Sequence, residues 1–215
     1  MTDLPPELLL RAYSIGVFPM AEAREDNEFF WVDPDHRGII PLDRFHLSRS
    51  LRKTLKRGTF RVTADQAFDQ VIAACAQAAP DRENTWINLQ IEQAYETLHH
   101  QGNAHSIETW QGEELVGGLY GVRLGGAFFG ESMFSRATDA SKVALVHLVA
   151  RLICGGFKLL DTQFLTDHLK QFGAVEIPRE DYRRMLKDAL VVDADFYSLP
   201  AEDEAAFVQS MTQTS

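Results

Sequence analysis

Three polar side chains stand where chemistry could be done: Glu131, Asp161 and Gln163. They close two short apolar runs, 127–130 and 158–160, that flank a helical stretch within residues 125–169. The pattern reads strand, helix, strand. A right-handed crossover makes the two strands parallel and brings their polar ends to one edge of a sheet, where ligands of open α/β sheets sit. Two carboxylates and a carboxamide suit a reaction without a covalent intermediate, such as an amine attacking an activated ester. An α-amine has a pKa of about 7.7–8.0, so part of it is already neutral at pH 7. The protein need only align amine and carbonyl, take up a proton and stabilise the oxyanion. Glu131 and Asp161 could equally be helix caps or ion-pair partners, and residue type alone leaves both readings open.

Other chemistries lack their signatures. No Walker loop, dinucleotide fingerprint, nucleophile elbow or zinc spacing occurs. The histidines (His36, His46, His99, His100, His105, His147, His168) form no metal-type pair. Cys154 has no evident base. No metal and no cofactor are expected. A CoA-dependent acetyltransferase would want a glycine-rich loop between the meander and the helix, and the segment there, SRATDAS, has no glycine. A CoA-dependent N-acetyltransferase and a non-catalytic RNA-binding adaptor stay open as alternatives.

The 215 residues carry a net charge of −10, which argues weakly against a nucleic-acid partner. The distribution argues back. Residues 44–64 hold no acid but contain Arg44, Arg49, Arg52, Lys53, Lys56, Arg57 and Arg61. Such a patch can bind phosphate on an acidic protein, because screening limits repulsion to about 8 Å at physiological salt. Residues 47–57 read as a helix with Leu47, Leu51 and Leu55 inward, basic residues on the other faces and Gly58 at the end. Lys56 and Arg57 also suit the negative end of a helix dipole, so a solvated face explains them too. No stretch approaches the roughly 18 apolar residues of a membrane span. The start of the chain does not read as a secretory signal. Cys75 and Cys154 read as buried free thiols in a reducing compartment.

The remaining elements fall in order. A helix over 4–14 begins at Pro5 and Pro6 and stops at Gly16. Residues 16–20 read as a turn or short extended piece, 21–28 as a loop, 29–32 and 38–42 as strands, and 33–38 as a turn. After a strand at 60–63, Asp65 caps a helix that ends at Pro80, and 81–86 form a loop. A helix over 89–101 precedes an antiparallel meander built from 105–110, 115–122 and 127–132. Gly117, Gly118 and Gly121 in its middle strand suggest close approach of a ligand or another backbone. The crossover helix spans 141–154, with Leu145, Leu148, Val149 and Leu152 on one face. A short helix follows Asp161. Pro178 opens a last helix with Tyr182, Met185, Leu186 and Ala189 inward, and the tail from Pro200 lacks periodicity. The fold class is α/β (α+β), a mixed sheet with flanking helices whose order of meander, helix, strand and short helix resembles the acyl-CoA N-acyltransferase type. The expected divisions are a small N-terminal α/β domain at 1–62, the acyltransferase-like domain at 63–199 and a mobile tail at 200–215.

Two motifs, GESMFSRATDASK and LLDTQFLTDHL, resemble the bacterial leucyl/phenylalanyl-tRNA–protein transferases. GVFPM, FFWVDPDHRGIIPL, FHLSRSLRK, TWI, HSIETWQGEELVGGLYG and QFGAVEIPR extend the match, in order, over most of residues 4–178. The resemblance implies transfer of Leu or Phe, less well Met, from aminoacyl-tRNA to the α-amine of an N-terminal Arg or Lys. It further implies marking of the acceptor for N-degron degradation in the cytoplasm, with direct amine attack on the ester. It makes Glu131, Asp161 and Gln163 the catalytic residues, in one family proposal with the aspartate polarising the glutamine. In a competing view the terminal ribose of the tRNA does more of the work. It assigns Trp86 to the terminal adenosine, and Leu119, Leu148, Leu152 and Leu160 to the pocket for the transferred side chain. It assigns Lys56 and Arg57, with Arg52 and Arg49 beside them, to the tRNA. Met20 replaces the usual Trp of GxFPW. Leu119 stands for a common Met, and Leu148 and Leu152 for Phe in some members. The family's longer N-terminal leader is not matched, which would shrink the N-terminal domain.

Overall fold

The structure, a computed structural model, describes residues 4–77 and 84–214. The Pro80 stop and residues 81–83 of the expected loop lie outside the described residues. Helix α1 (Pro6–Ser14) starts on two prolines, where a missing N–H breaks no helical bond, and buries Leu9, Ala12 and Tyr13. Strands β1 (Phe18–Met20) and β2 (Phe30–Val32) form a separate antiparallel ribbon in which Met20 faces Phe30. Strand β3 (His36–Ile40) begins two residues earlier than expected and ends at Ile40. Helix α2 (Arg49–Arg57) has Ser48 as its N-cap and Gly58 at φ 60 as its C-cap, the left-handed stop that glycine adopts without penalty.

Strand β4 (Arg61–Ala64), helix α3 (Phe68–Cys75) and helix α4 (Leu89–His100) lead to the meander β5 (Ala104–Gln111), β6 (Glu114–Leu124) and β7 (Ala127–Ser135). Helix α5 (Ala140–Cys154) crosses over to β8 (Leu159–Gln163). Short α6 (Asp167–Lys170), β9 (Val175–Pro178), α7 (Arg179–Leu190) and α8 (Ala201–Thr214) complete the chain. The large sheet runs β4-β5-β6-β7-β8-β3-β9. Its β7/β8 pair is parallel and its other pairs are antiparallel. This is a mixed α/β fold with helices on both faces. One face packs Phe68, Val71, Ile91, Tyr95 and Tyr182, from α3, α4 and α7. The other packs Leu145, Leu148, Val149 and Leu152 of α5 against Leu119 and Leu160.

Several expectations change. The division drawn at residue 62 falls inside the sheet, because β3 pairs with both β8 and β9. The tail is helix α8, held to α5 by Glu204, which meets His147 at 2.6 Å and also pairs with Arg151. Asp65 does not cap α3. The N-cap is Ala67, and the Asp65 carboxylate takes the Ser106 N–H at 2.7 Å and bonds His105 and Tyr197 instead. The β6 glycines face packed protein. A Cβ on Gly117 would stand 2.6 Å from that of Ala140, and one on Gly121 2.3 Å from the Phe129 carbonyl oxygen. Met185 is 38% exposed rather than inward. Cys75 and Cys154 are free thiols, with Cys154 only half-buried.

Candidate active site

The parallel pairing of β7 and β8 stops at Phe129 and Asp161. Beyond that point the strands part, and a cavity of about 500 Å³ opens between them. Leu119, Met133, Leu145, Leu148, Leu160 and Leu169 supply its apolar wall. Phe18, Met20 and Trp86 line it as well. Helix α5 runs antiparallel to the strands it connects, so its N-terminal half lies nearest their C-terminal ends. Leu145 and Leu148 therefore reach the cavity. Leu152, one turn further on, is fully buried in the core and does not line it, contrary to the sequence expectation.

Glu131 and Gln163 bridge the parted strands, with the Gln163 Nε2 donating to Glu131 Oε1 at 2.9 Å. Tyr13 donates to the same carboxylate at 2.6 Å and Tyr95 at 3.0 Å. Glu131 is only 8% exposed. Burial pushes its pKa from 4.5 up to about 7, against the hydrogen bonds from Tyr13, Gln163 and Tyr95 that favour the anion. Burial first, then the Glu131 charge, raises both phenols well above their ordinary value, so they remain donors. A buried carboxyl that titrates near neutrality inside a cavity is suited to accept and release a proton.

Asp161 is not part of the cavity wall. It is fully buried and faces Arg37, whose Nη2 lies 2.7 Å away, and Tyr182, whose hydroxyl donates at 2.6 Å. It accepts the backbone N–H of Gln163 at 2.7 Å, not the carboxamide. The sequence grouped Asp161 with Glu131 and Gln163 as polar strand ends facing a ligand. The structure places it on the far side of β8.

Three buried polar atoms on the cavity wall have no hydrogen-bond partner among the described residues: Tyr120 Oη, Thr162 Oγ1 and His168 Nε2. Such atoms are uncommon in a packed interior and offer polar contacts to a bound molecule. Burial first, then Lys142, lowers the His168 pKa, so its ring is neutral near pH 7. None of the three was given a role from the sequence. Tyr120 sat in a strand read for its glycines, and His168 among histidines that form no metal-type pair.

On α2, Arg49, Lys53, Lys56 and Arg57 are exposed and hold no ion pair among the described residues. Arg52 differs. It is half-buried and donates to the carbonyls of Leu47 at 3.1 Å and Thr212 at 3.4 Å, joining α2 to α8. Among the described residues no group of three His, Cys, Asp or Glu side chains is placed to hold a metal ion, and no helix is long and apolar enough to cross a membrane.

A family model described as leucyl/phenylalanyl-tRNA protein transferase matches residues 39–187. A second, for the N-terminal domain of that transferase, matches residues 2–35. The leucyl/phenylalanyl-tRNA–protein transferase of Maricaulis maris is 60% identical over 216 residues, covering 100% of each chain. That of Rhodopseudomonas palustris is 57% identical and covers 98% of this chain and 91% of its own. Among solved structures, L-PGS from Bacillus licheniformis aligns over 76% of this chain and 61% of that one, with 16% identity and a TM-score of 0.41. The two family models together span nearly all of the elements that build the cavity, and full-length relatives match at more than half of all positions: the chain belongs to the leucyl/phenylalanyl-tRNA–protein transferase family.

Proposed function

We propose that this aminoacyltransferase moves Leu or Phe, and less well Met, from aminoacyl-tRNA to the α-amine of an N-terminal Arg or Lys. The acceptor is thereby marked for N-degron degradation in the cytoplasm. The observation that carries the reading is the Glu131–Gln163 bond on the wall of a largely apolar cavity. The donor side chain enters among Leu119, Leu148 and Leu160, where burying a Leu or Phe contributes about 1.5–3 kcal/mol. Trp86 holds the terminal adenosine. The acceptor nitrogen attacks the ester carbonyl carbon, a C–N bond forms, and the bond to the terminal ribose oxygen breaks. Glu131 takes the one proton that the neutral amine gives up and passes it to the departing ribose oxygen, which leaves as a hydroxyl. The second N–H of Gln163 Nε2 is free to meet the developing oxyanion. The step draws on no coenzyme and forms no covalent enzyme intermediate. Asp161 cannot meet the acceptor's cationic side chain, since it is buried and paired with Arg37; Glu131 is the carboxylate within reach of the cavity.

The test is transfer of labelled Leu from leucyl-tRNA to peptides starting with Arg, Lys or Ala. Transfer to Arg and Lys but not Ala supports the reading. Binding of leucyl-tRNA with no amino acid reaching any peptide contradicts it.

Two further results are expected. Replacing Lys56 and Arg57 together by Ala removes two exposed cations from α2. The KM for leucyl-tRNA should rise and its logarithmic salt slope should fall by about 2, at little change in kcat. Equal slopes for variant and parent would remove these residues from the tRNA contact. Leu148→Ala enlarges the apolar wall, so the ratio of kcat/KM for Phe over Leu should rise by about 10-fold. Competition between the two charged tRNAs measures that ratio directly, and an unchanged value would place the side chain elsewhere.

A further inference from the structure

We infer that Arg37 and Asp161 act as a positioning clamp on the backbone of Gln163, and not as a charge relay to its carboxamide. The inference rests on the reading that Glu131 and Gln163 flank the reacting bond. Arg37 is 1% exposed. Its guanidinium lies between the rings of Phe18 and Tyr182, 4.6 and 4.5 Å from their centroids. Its Nε meets both Asp161 oxygens at 3.0 and 3.1 Å, its Nη2 meets Oδ2 at 2.7 Å, and its Nη1 donates to the Gly16 carbonyl at 2.7 Å. Tyr182 adds a fourth bond to the carboxylate at 2.6 Å. The charge of Asp161 is thus matched in place by Arg37, and its side chain makes no hydrogen bond to the Gln163 carboxamide.

What Asp161 does reach is the Gln163 amide, 2.7 Å from Oδ1. That bond closes a tight turn and holds Gln163 at φ 60, a conformation that costs a non-glycine residue free energy and persists only where the surroundings enforce it. The turn has a consequence for the site. Side chains along a regular strand alternate, so Gln163 would share the Arg37 face with Asp161. The left-handed backbone breaks the alternation and sends the carboxamide into the cavity, onto Glu131. The facing strand accommodates this. Gly38 sits opposite Gln163 beside a bulge in β3, and a Cβ there would lie 2.6 Å from the Phe164 carbonyl carbon. Arg37 and Gly38 are neighbours, so one dipeptide supplies both the counter-charge and the space.

Two double variants separate shape from charge. Arg37→Gln with Asp161→Asn is neutral and keeps an oxygen to accept the Gln163 amide. Its kcat should stay within about 10-fold of the parent. Arg37→Gln with Asp161→Ala is equally neutral but lacks the acceptor, and its kcat should fall by about 100-fold, the effect of a misplacement of roughly 1 Å, at unchanged KM for leucyl-tRNA. Equal loss in both would assign the effect to the Asp161 charge and overturn the clamp, and so would full activity in both. Should either double variant fail to fold, Gly38→Ala decides with the ion pair intact. A kcat at least about 10-fold lower at unchanged KM supports the clamp, and a parental kcat overturns it. Gln163→Ala is run alongside. Full activity there would sink the role of Gln163 itself, a failure distinct from that of the clamp.

Discussion

Glu131→Gln is expected to cut the transfer rate by about 100-fold or more while making the protein more stable at pH 8. Both effects follow from one buried carboxyl. Its folded pKa is about 7, against 4.5 for the exposed group. Between those values the folded state holds a proton that the unfolded state has lost. Stability from this group is therefore full below the lower value and falls as pH rises through the upper one. By pH 8 the ionised, buried carboxylate costs about 3 kcal/mol. Gln has no charge to bury. With one oxygen where Glu has two, it forfeits one of the bonds from Tyr13, Tyr95 or Gln163, a loss of about 1 kcal/mol at every pH. The two contributions cross. Calorimetry should find the variant below the parent in Tm at pH 5 and above it at pH 8. A pH-independent gap would show that Glu131 does not titrate in this range. If Glu131 moves the proton as proposed, its cost to stability is what a site tuned for proton transfer is expected to carry.

The second large effect concerns the buried pair behind β8. Asp161→Asn or Arg37→Gln alone leaves an unmatched charge at a position that is at most 1% exposed. Breaking a buried pair from one side costs about 3–5 kcal/mol. For a chain of this size each kcal/mol shifts Tm by about 2–4 °C, so either single variant should melt roughly 10 °C lower. The neutral double variant leaves no charge behind and should recover most of that loss. Thermal unfolding of the four proteins gives the coupling directly. Additive losses would mean that the two side chains do not sense one another, against the bidentate geometry.

Local patterns carried the centre of the fold. The apolar runs around 127–130 and 158–160 and the leucine spacing of α5 are written at strand and helix periods, so β7, α5 and β8 were readable, and with them Glu131 and Gln163. What decides their surroundings was not. Tyr13 lies 118 residues from Glu131, and Arg37 lies 124 residues from Asp161. A tyrosine in an amphipathic helix and an arginine in a DPDHRG turn carry no sign of partners so distant. The β9 strand, four residues with its partner in β3, was invisible for the same reason. Asp161 was misassigned because strand alternation predicts one face for Asp161 and Gln163, and the left-handed Gln163 backbone breaks that rule. Leu152 was grouped with Leu148 because a helical stripe does not say where along its length a cavity begins. Helix α8 escaped notice because its acidic first turn masks a short apolar face of Phe207, Val208 and Met211, and because Glu204 adds a charged contact to α5 that the sequence does not signal.

The proposed transfer turns on where the donor's side chain and carbonyl come to rest, and one structure tests that: a crystal of the protein with the 3′-amide analogue of leucyl-adenosine, which cannot be cleaved as an ester. The leucine side chain should fill the space among Leu119, Leu148 and Leu160, with its carbonyl oxygen within hydrogen-bonding distance of Gln163 Nε2 and the Glu131 carboxylate open to an approaching amine. A leucine seated outside the β7–β8 cleft, with Glu131 and Gln163 bonded only to each other, would contradict it.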